Sequence, residues 1–271
     1  MSCSKNSTTR CSPVVRSTVR APGAGWIRSS VSLSALANGG NKISTLSIGI
    51  AGAGRMGQTI EACIAKHKGL HLVGTWARGG DLEAVVKGAD VIIDFSLPEG
   101  TMEVLAVAVR HNTPLVCGVS GLDAHQMATL ERAASDIPIV YDRNMSLGIA
   151  VLDRVVQQAA AALGADFSVE ISETHHVHKK DAPSGTALKL GEAIAEARGD
   201  ANTDLISFAS ERRGEVPGDH EVTLSSDTER LTFAHSVTTR QVFADGALRA
   251  ASWIVGRAPG RYNMHDVLFG G

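Results

Sequence analysis

Residues 46–69 read LSIGIAGAGRMGQTIEACIAKHKG, and the way this stretch folds decides the architecture of the first half of the chain. Leu46 to Ala51 form a short apolar run of strand length. Gly52, Gly54 and Gly57 come next, and a segment with Ile60, Ile64 and Ala65 at helical spacing succeeds them. Strand, glycine turn and helix in that order let a chain turn tightly and bring backbone amides up to a pyrophosphate at the helix start. The plain alternative is a turn beside close helix packing.

The chain beyond this unit repeats its alternation. LHLVGTW, ADVIIDFS, TPLVCGVSG and IPIVYDRN read as strands, with TMEVLAVAVRHN and DAHQMATLERAAS as helices between them. Met102, Leu105, Ala106 and Val109 keep helical spacing in the first of these. Strands and helices alternating at these lengths imply βαβ units and a parallel sheet, an α/β fold of Rossmann type. About 20 residues past the glycines, a carboxylate usually binds the ribose of NAD. Trp76-Ala77-Arg78 stands there instead, with no acid before Asp81. Arg78 is thus a candidate for the 2′-phosphate of NADP, which a guanidinium matches with forked hydrogen bonds, unless it is simply a solvated strand end.

After Asn144 the texture changes. A long helix, SLGIAVLDRVVQQAAAALG, carries Leu152, Val155, Val156 and Ala159 in register, and FSVEIS alternates as a half-buried strand. DLISFASERR, HEVTLSS and ERLTFAHSV are further strands with no helix between them, which points to antiparallel or mixed pairing. GALRAASWIVG is a last helix, able to return to the first sheet.

Between these strands lies ETHHVHKKDAPSGTA, residues 173–187, with three histidines and two lysines crowded before a turn. Three readings compete. His175, His176 and His178 suit one metal ion poorly, because neighbours on an extended segment point to opposite faces and Lys179 and Lys180 repel a cation. A solvated basic loop is the second reading. The third is an anion-binding catalytic site. Ser184-Gly185-Thr186 opens the helix ALKLGEAIAEAR, so its amides and dipole favour a carboxylate. Lys179 adds a charge, and a histidine with a lysine supplies proton transfer near neutral pH. That crowding suits a small dianion that must also receive a proton.

Composition narrows the partners. A net charge of −2 favours neither nucleic acid nor an anionic membrane. The apolar runs are broken by Gly, Asp or Arg, so no membrane is expected. Cys3, Cys11, Cys63 and Cys117 form no CxxC pair, which fits a reducing compartment and suggests neither disulfides nor zinc. Residues 1–43 are rich in Ser and Arg, and the first acid in the chain is Glu61. Such a stretch is either an unstructured extension or an organelle-targeting segment, so the cytoplasm is expected, with organelle targeting as the alternative.

The pattern E-x-H-H-x-x-K-x-D-x-P-S-G-T-A from Glu173 to Ala187 resembles the signature of the dihydrodipicolinate reductases, now called 4-hydroxy-tetrahydrodipicolinate reductases. The similarity extends through GRMG, VIIDFS, CGVSG, FADGALRAASWIVG and MHDVL, over about residues 46–269. It implies a Rossmann domain of residues 44–145 completed by 243–271. It also implies a smaller α+β domain of 146–242, whose mixed sheet binds substrate and builds a homotetramer. NADPH and/or NADH would be the cofactor, and a small dicarboxylate the substrate. Residue by residue, His175 and Lys179 match the proton-transfer pair, and His176, Gly185 and Thr186 match substrate contacts beside Ser184. The cofactor loops are matched by Gly52, Ala53, Gly54, Arg55, Met56 and Gly57, by Gly118, Val119 and Ser120, and by Asp142, Arg143, Asn144 and Met145. No metal is implied. The family's glycine loop usually has one more residue before GRMG and its strand end usually reads Gly-Thr-Thr-Gly, departures that bear on cofactor preference. A dinucleotide sensor and a metal-dependent hydrolase remain as alternatives.

Overall fold

A computed structural model describes residues 45–200 and 202–270 of the protein. The extension of residues 1–43 therefore lies outside the described residues. In chain order the first half runs β1 (Leu46–Ala51), α1 (Arg55–Ile64), β2 (Leu70–Trp76), α2 (Leu82–Lys87), β3 (Val91–Asp94), α3 (Pro98–Arg110), β4 (Leu115–Cys117), α4 (Ala124–Ala134) and β5 (Pro138–Tyr141). The second half runs α5 (Leu147–Leu163), β6 (Ser168–His175), α6 (Gly185–Arg198), β7 (Ile206–Arg212), β8 (Asp219–Ser225) and β9 (Arg230–His235). It closes with α7 (Gln241–Ile254), β10 (Gly260–Tyr262) and α8 (Met264–Phe269).

The first sheet has the order β10-β5-β4-β3-β1-β2, with every neighbouring pair parallel. Both faces are covered, which is why its strands read as unbroken apolar runs: all four residues of β3 are buried. Ile48, Ile50, Ile93, Val116 and Val140 face one way, toward Ile60 and Ile64 of α1 and Ala247, Ala251 and Ile254 of α7. Ile92, Leu115 and Ile139 face the other way, toward Val104, Leu105 and Ala108 of α3 and Leu130 of α4.

The second sheet has the order β7-β6-β8-β9. β6 and β7 are parallel, linked by α6, and the other pairs are antiparallel. Mixed pairing thus comes from a crossover helix, not from a run of hairpins. Alternation on β6 and β8 sends Val169, Ile171, Val222 and Leu224 inward against Ile149, Leu152 and Val156 of α5 and Leu190 and Ile194 of α6.

Three of the expected helix stripes are rotated. On α1 Cys63 is buried and Ala65 exposed, on α3 Val104 and Ala108 replace Ala106 and Val109, and on α5 Asp153 is buried while Val155 is exposed. These helices carry apolar residues over more than half their circumference, so spacing alone does not single out the inward face.

Candidate active site

The glycine loop sits at the carboxyl end of β1, in the crevice where open α/β sheets take their ligands. Gly52 has φ +106°, and a Cβ there would lie 2.6 Å from the Phe95 carbonyl oxygen. A Cβ on Gly57 would run into the Gly52 carbonyl. Gly54 has nothing within 4 Å and starts α1 with no side-chain cap, so its surroundings are open to a ligand. A cavity of about 430 Å³ lies beside the loop, lined by Gly52, Ala53, Gly54, Arg78, Phe95 and Ser96, among others. No carboxylate lines it, and Arg78 stands exposed at its edge. A turn that two glycines close and a third leaves open fits a dinucleotide pyrophosphate better than helix packing alone, which would not need the third.

The other expected cofactor loops are at the same carboxyl end of the sheet, with their side chains turned to different uses. Arg55 and Ser120 are exposed and Met56 is half-buried. Gly118 lies under the Phe95 ring, where a Cβ would clash. Val119 and Met145 are 4% and 1% exposed and belong to the apolar layers, so these two residues can offer a ligand only their backbone. Asp142 is buried, accepts from Lys189 Nζ at 2.8 Å and from the Met264 amide at 3.3 Å, and is not a free carboxylate. Arg143 is exposed, and Asn144 Nδ2 donates to Thr186 Oγ1 at 3.1 Å. The loop after β5 and the start of α6 are therefore bonded to each other directly.

Pleating of β6 puts Glu173 and His175 on one face and His176 on the other. Glu173 and His175 are 3% and 7% exposed, and Glu173 accepts a short hydrogen bond from His175 Nδ1. Arg212 lies opposite His175 in the parallel pair β6/β7 and places a guanidinium nitrogen 3.0 Å from Glu173 Oε1. The same guanidinium donates to the Lys179 carbonyl at 3.3 Å and to the Asp181 carbonyl, which pins the loop after β6. Lys179 Nζ is 2.9 Å from Asp181 Oδ2. His178 points to solvent, 3.5 Å from Glu215.

Ser184 caps α6, its Oγ accepting from the Ala187 amide at 3.2 Å. Thr186 is buried, and the space beside Gly185 holds only the Arg143 Cδ at 3.7 Å. Gly218, at φ +151°, lies against His175. A Cβ there would come within 2.9 Å of Nε2, so the missing side chain keeps that nitrogen clear.

Burial lowers the pKa of His175 below its ordinary value, and the Glu173 carboxylate offsets this only in part. Burial raises that of Glu173, but hydrogen bonds from Ser210 and Arg212 and the charge of His175 outweigh it and hold the carboxyl below the usual range. A neutral imidazole paired through Nδ1–H with an ionised carboxylate leaves Nε2 as a proton acceptor. Burial, with the charges of Arg240 and Arg55, also lowers the pKa of His176.

These positions do not bring the three histidines of the 173–187 stretch to one ion. His175, His176 and His178 do not converge. The trio that does, Glu173, His175 and His220, with one donor atom each within 4.8 Å of the others, already has Arg212, Glu173 and Ser184 as partners. A guanidinium on the carboxylate is the reverse of what a cation site needs.

Arg212, Gly218 and His220 do not stand out in the sequence. A signal exists for His220 alone: in HEVTLSS it takes the inward beat with Val222 and Leu224, where a polar residue requires a buried partner.

A glycine loop with room for a dinucleotide at the first sheet and a histidine–carboxylate pair beside α6 fit one class, the oxidoreductases that pass hydride from NAD(P)H to a small substrate. Comparison with known proteins narrows this. The family model for the N-terminal part of dihydrodipicolinate reductase matches residues 46–145, and that for the C-terminal part matches residues 148–268. The 4-hydroxy-tetrahydrodipicolinate reductase of Zymomonas mobilis is 41% identical over 251 residues, covering 84% of this chain and 98% of that protein. The protein of the same name in Pseudomonas fluorescens is 44% identical over 205 residues, covering 70% and 76%. Among solved structures, dipicolinate-bound dihydrodipicolinate reductase from Paenisporosarcina sp. TG-14 superposes with a TM-score of 0.70 at 22% identity, covering 83% of this chain and all of that one, which speaks for the fold. The chain belongs to the dihydrodipicolinate reductase family.

Proposed function

We propose that this chain reduces 4-hydroxy-tetrahydrodipicolinate to tetrahydrodipicolinate with NAD(P)H, a step of the diaminopimelate route to lysine. The observation that carries it is that Lys179 and the Gly185 amide at the start of α6 converge on one carboxylate, Asp181, with the buried Glu173–His175 pair near enough for the Lys179 charge to act on His175. NAD(P)H supplies a hydride when bound, and the glycine loop with Gly118–Ser120 and Asp142–Met145 would hold it. The amides of Gly185 and Thr186, the Ser184 hydroxyl and His176 bind the substrate carboxylates. Loss of the 4-hydroxyl as water leaves a ring with conjugated C=C and C=N bonds. Hydride addition then leaves an enamine that takes a proton at carbon. Lys179 gives that proton, and His175, oriented by Glu173, moves protons through Nε2. The charge of a bound dianion raises the proton affinity of both groups, so substrate binding loads the pair.

NADPH is the preferred cofactor in this reading, because Arg78 lines the cavity and no carboxylate does. Residues 44–145 with 243–271 serve the cofactor, and residues 146–242 serve substrate and assembly. Assembly into a homotetramer through the second sheet belongs to the same reading. The test is the absorbance of reduced cofactor on mixing with freshly made substrate. Oxidation that needs both, faster with NADPH, is expected, and none with either cofactor overturns the proposal.

A further inference from the structure

We propose that His220 is a positioning residue, held as the Nε2–H tautomer so that it donates to Ser184 Oγ and leaves the Ser184 hydroxyl proton free for a substrate carboxylate. This rests on the dicarboxylate reading of the site and adds to it how the anion site is armed.

His220 is 3% exposed, with its ring edge-to-face on His175 at 5.1 Å between centroids. Its Nε2 is 3.2 Å from Ser184 Oγ, and its buried Nδ1 has no partner among the described residues. Ser184 Oγ already accepts from the Ala187 amide. Two neutral tautomers satisfy the 3.2 Å contact. With the proton on Nδ1, Ser184 gives its only proton to Nε2, a buried N–H is orphaned, and the hydroxyl has nothing left to donate. Orphaned buried N–H groups are the rarest kind of unsatisfied polar atom.

With the proton on Nε2, both lone pairs of Ser184 Oγ are filled, by Ala187 and by His220; Nδ1 is left a bare acceptor, and the buried Ser184 O–H is left for the substrate to pair. The Ser184 O–H then joins the Thr186 amide as a donor at the start of α6, beside the Gly185 amide that bonds the Asp181 carboxylate. The imidazolium, which would donate from both nitrogens, does not compete near neutral pH: burial, reinforced by the charge of His175, pushes the pKa down to about 3.

Long-range ¹H–¹⁵N NMR of the imidazoles in the full chain, with His220 assigned by its loss in His220→Gln, reads the tautomer directly. Nε2–H, unchanged well below pH 6.5, is expected. An Nδ1–H signal overturns the proposal whatever the substrate. Calorimetry with pyridine-2,6-dicarboxylate and NADP⁺ tests the consequence. His220→Phe should weaken binding about tenfold or more, and His220→Gln, which keeps an N–H near the place of Nε2–H, by no more than about threefold. In a Ser184→Ala background His220→Phe should cost little further, since nothing remains to be positioned. Equal loss in Phe and Gln variants, or full additivity with Ser184→Ala, overturns the proposal. Absence of binding to the unaltered chain overturns the dicarboxylate reading and with it the proposed role, though not the tautomer. If the Phe variant does not fold, the NMR result and the Gln variant decide.

Discussion

The glycine loop offers its surroundings backbone, whereas the end of β6 holds buried charge. At the loop, Gly52 and Gly57 are fixed by the protein's own carbonyls, while the side chains of Ala53 and Arg55 lie outside. At β6, Glu173 is enclosed between His175 and Arg212, an arrangement whose desolvation costs several kcal/mol per ion and is recovered only through well-made hydrogen bonds. The first half should tolerate new side chains but not a Cβ in the wrong place. The second should tolerate changes of volume better than changes of charge.

Lys179→Ala is the strongest attempt to break this contrast. Turnover should fall about 100-fold to 10,000-fold, as for loss of a general acid, with the nucleotide dissociation constant unchanged. Steady-state kinetics and nucleotide titration check both, and a variant with near-normal turnover would show that the charged cluster following β6 is not what runs the chemistry.

The backbone half is tested by two glycines. Gly57→Ala should destabilise the chain by about 1–3 kcal/mol, because its methyl meets the Gly52 carbonyl. Gly54→Ala should leave urea denaturation unchanged and weaken only the nucleotide, because that side is open. Equal destabilisation by both would remove the distinction.

Acid sharpens the other side. The pKa of His220 is about 3 against 6.5 in the unfolded chain. Below pH 6.5 the unfolded state therefore takes a proton that the folded state refuses, and stability falls until about pH 3. By pH 5 the loss from this residue is about 2 kcal/mol. His220→Gln should flatten the decline of unfolding free energy between about pH 8 and 5 by that amount, and an unchanged slope would place the acid sensitivity elsewhere. The smallest effect is expected from Arg78→Ala, a rise of about five- to tenfold in the Michaelis constant for NADPH with NADH spared, because an exposed ion pair contributes only about 1 kcal/mol.

The fold is legible where a pattern is local. Four of the first sheet's strands can be read from apolar runs bounded by turns, and the glycine unit announces the fifth, β1. β10 escapes such a reading because Gly260–Tyr262 is three residues long, partly exposed and without an apolar residue but tyrosine. The six-residue α2 is too short to show a period. In the site, His175, Lys179 and Ser184 lie within one short stretch, while Arg212 and His220 arrive through pairing of β7 and β8 with β6, which nothing in their own neighbourhoods discloses. Val119 and Met145 sit at the expected loops, but only packing shows that their side chains turn inward.

The two bonds from the loop after β5 to α6, Asp142 to Lys189 and Asn144 to Thr186, join parts of the chain that the proposed function gives to different ligands. On that proposal, a nucleotide that steadies residues 142–145 would also steady the helix start assigned to the dicarboxylate, and the ordering cost would be met by whichever ligand arrives first. Linkage makes the benefit mutual: the factor by which nucleotide tightens dicarboxylate equals the factor by which dicarboxylate tightens nucleotide. Cleaved apart, the two binding sites would lose that shared factor even if each kept its shape.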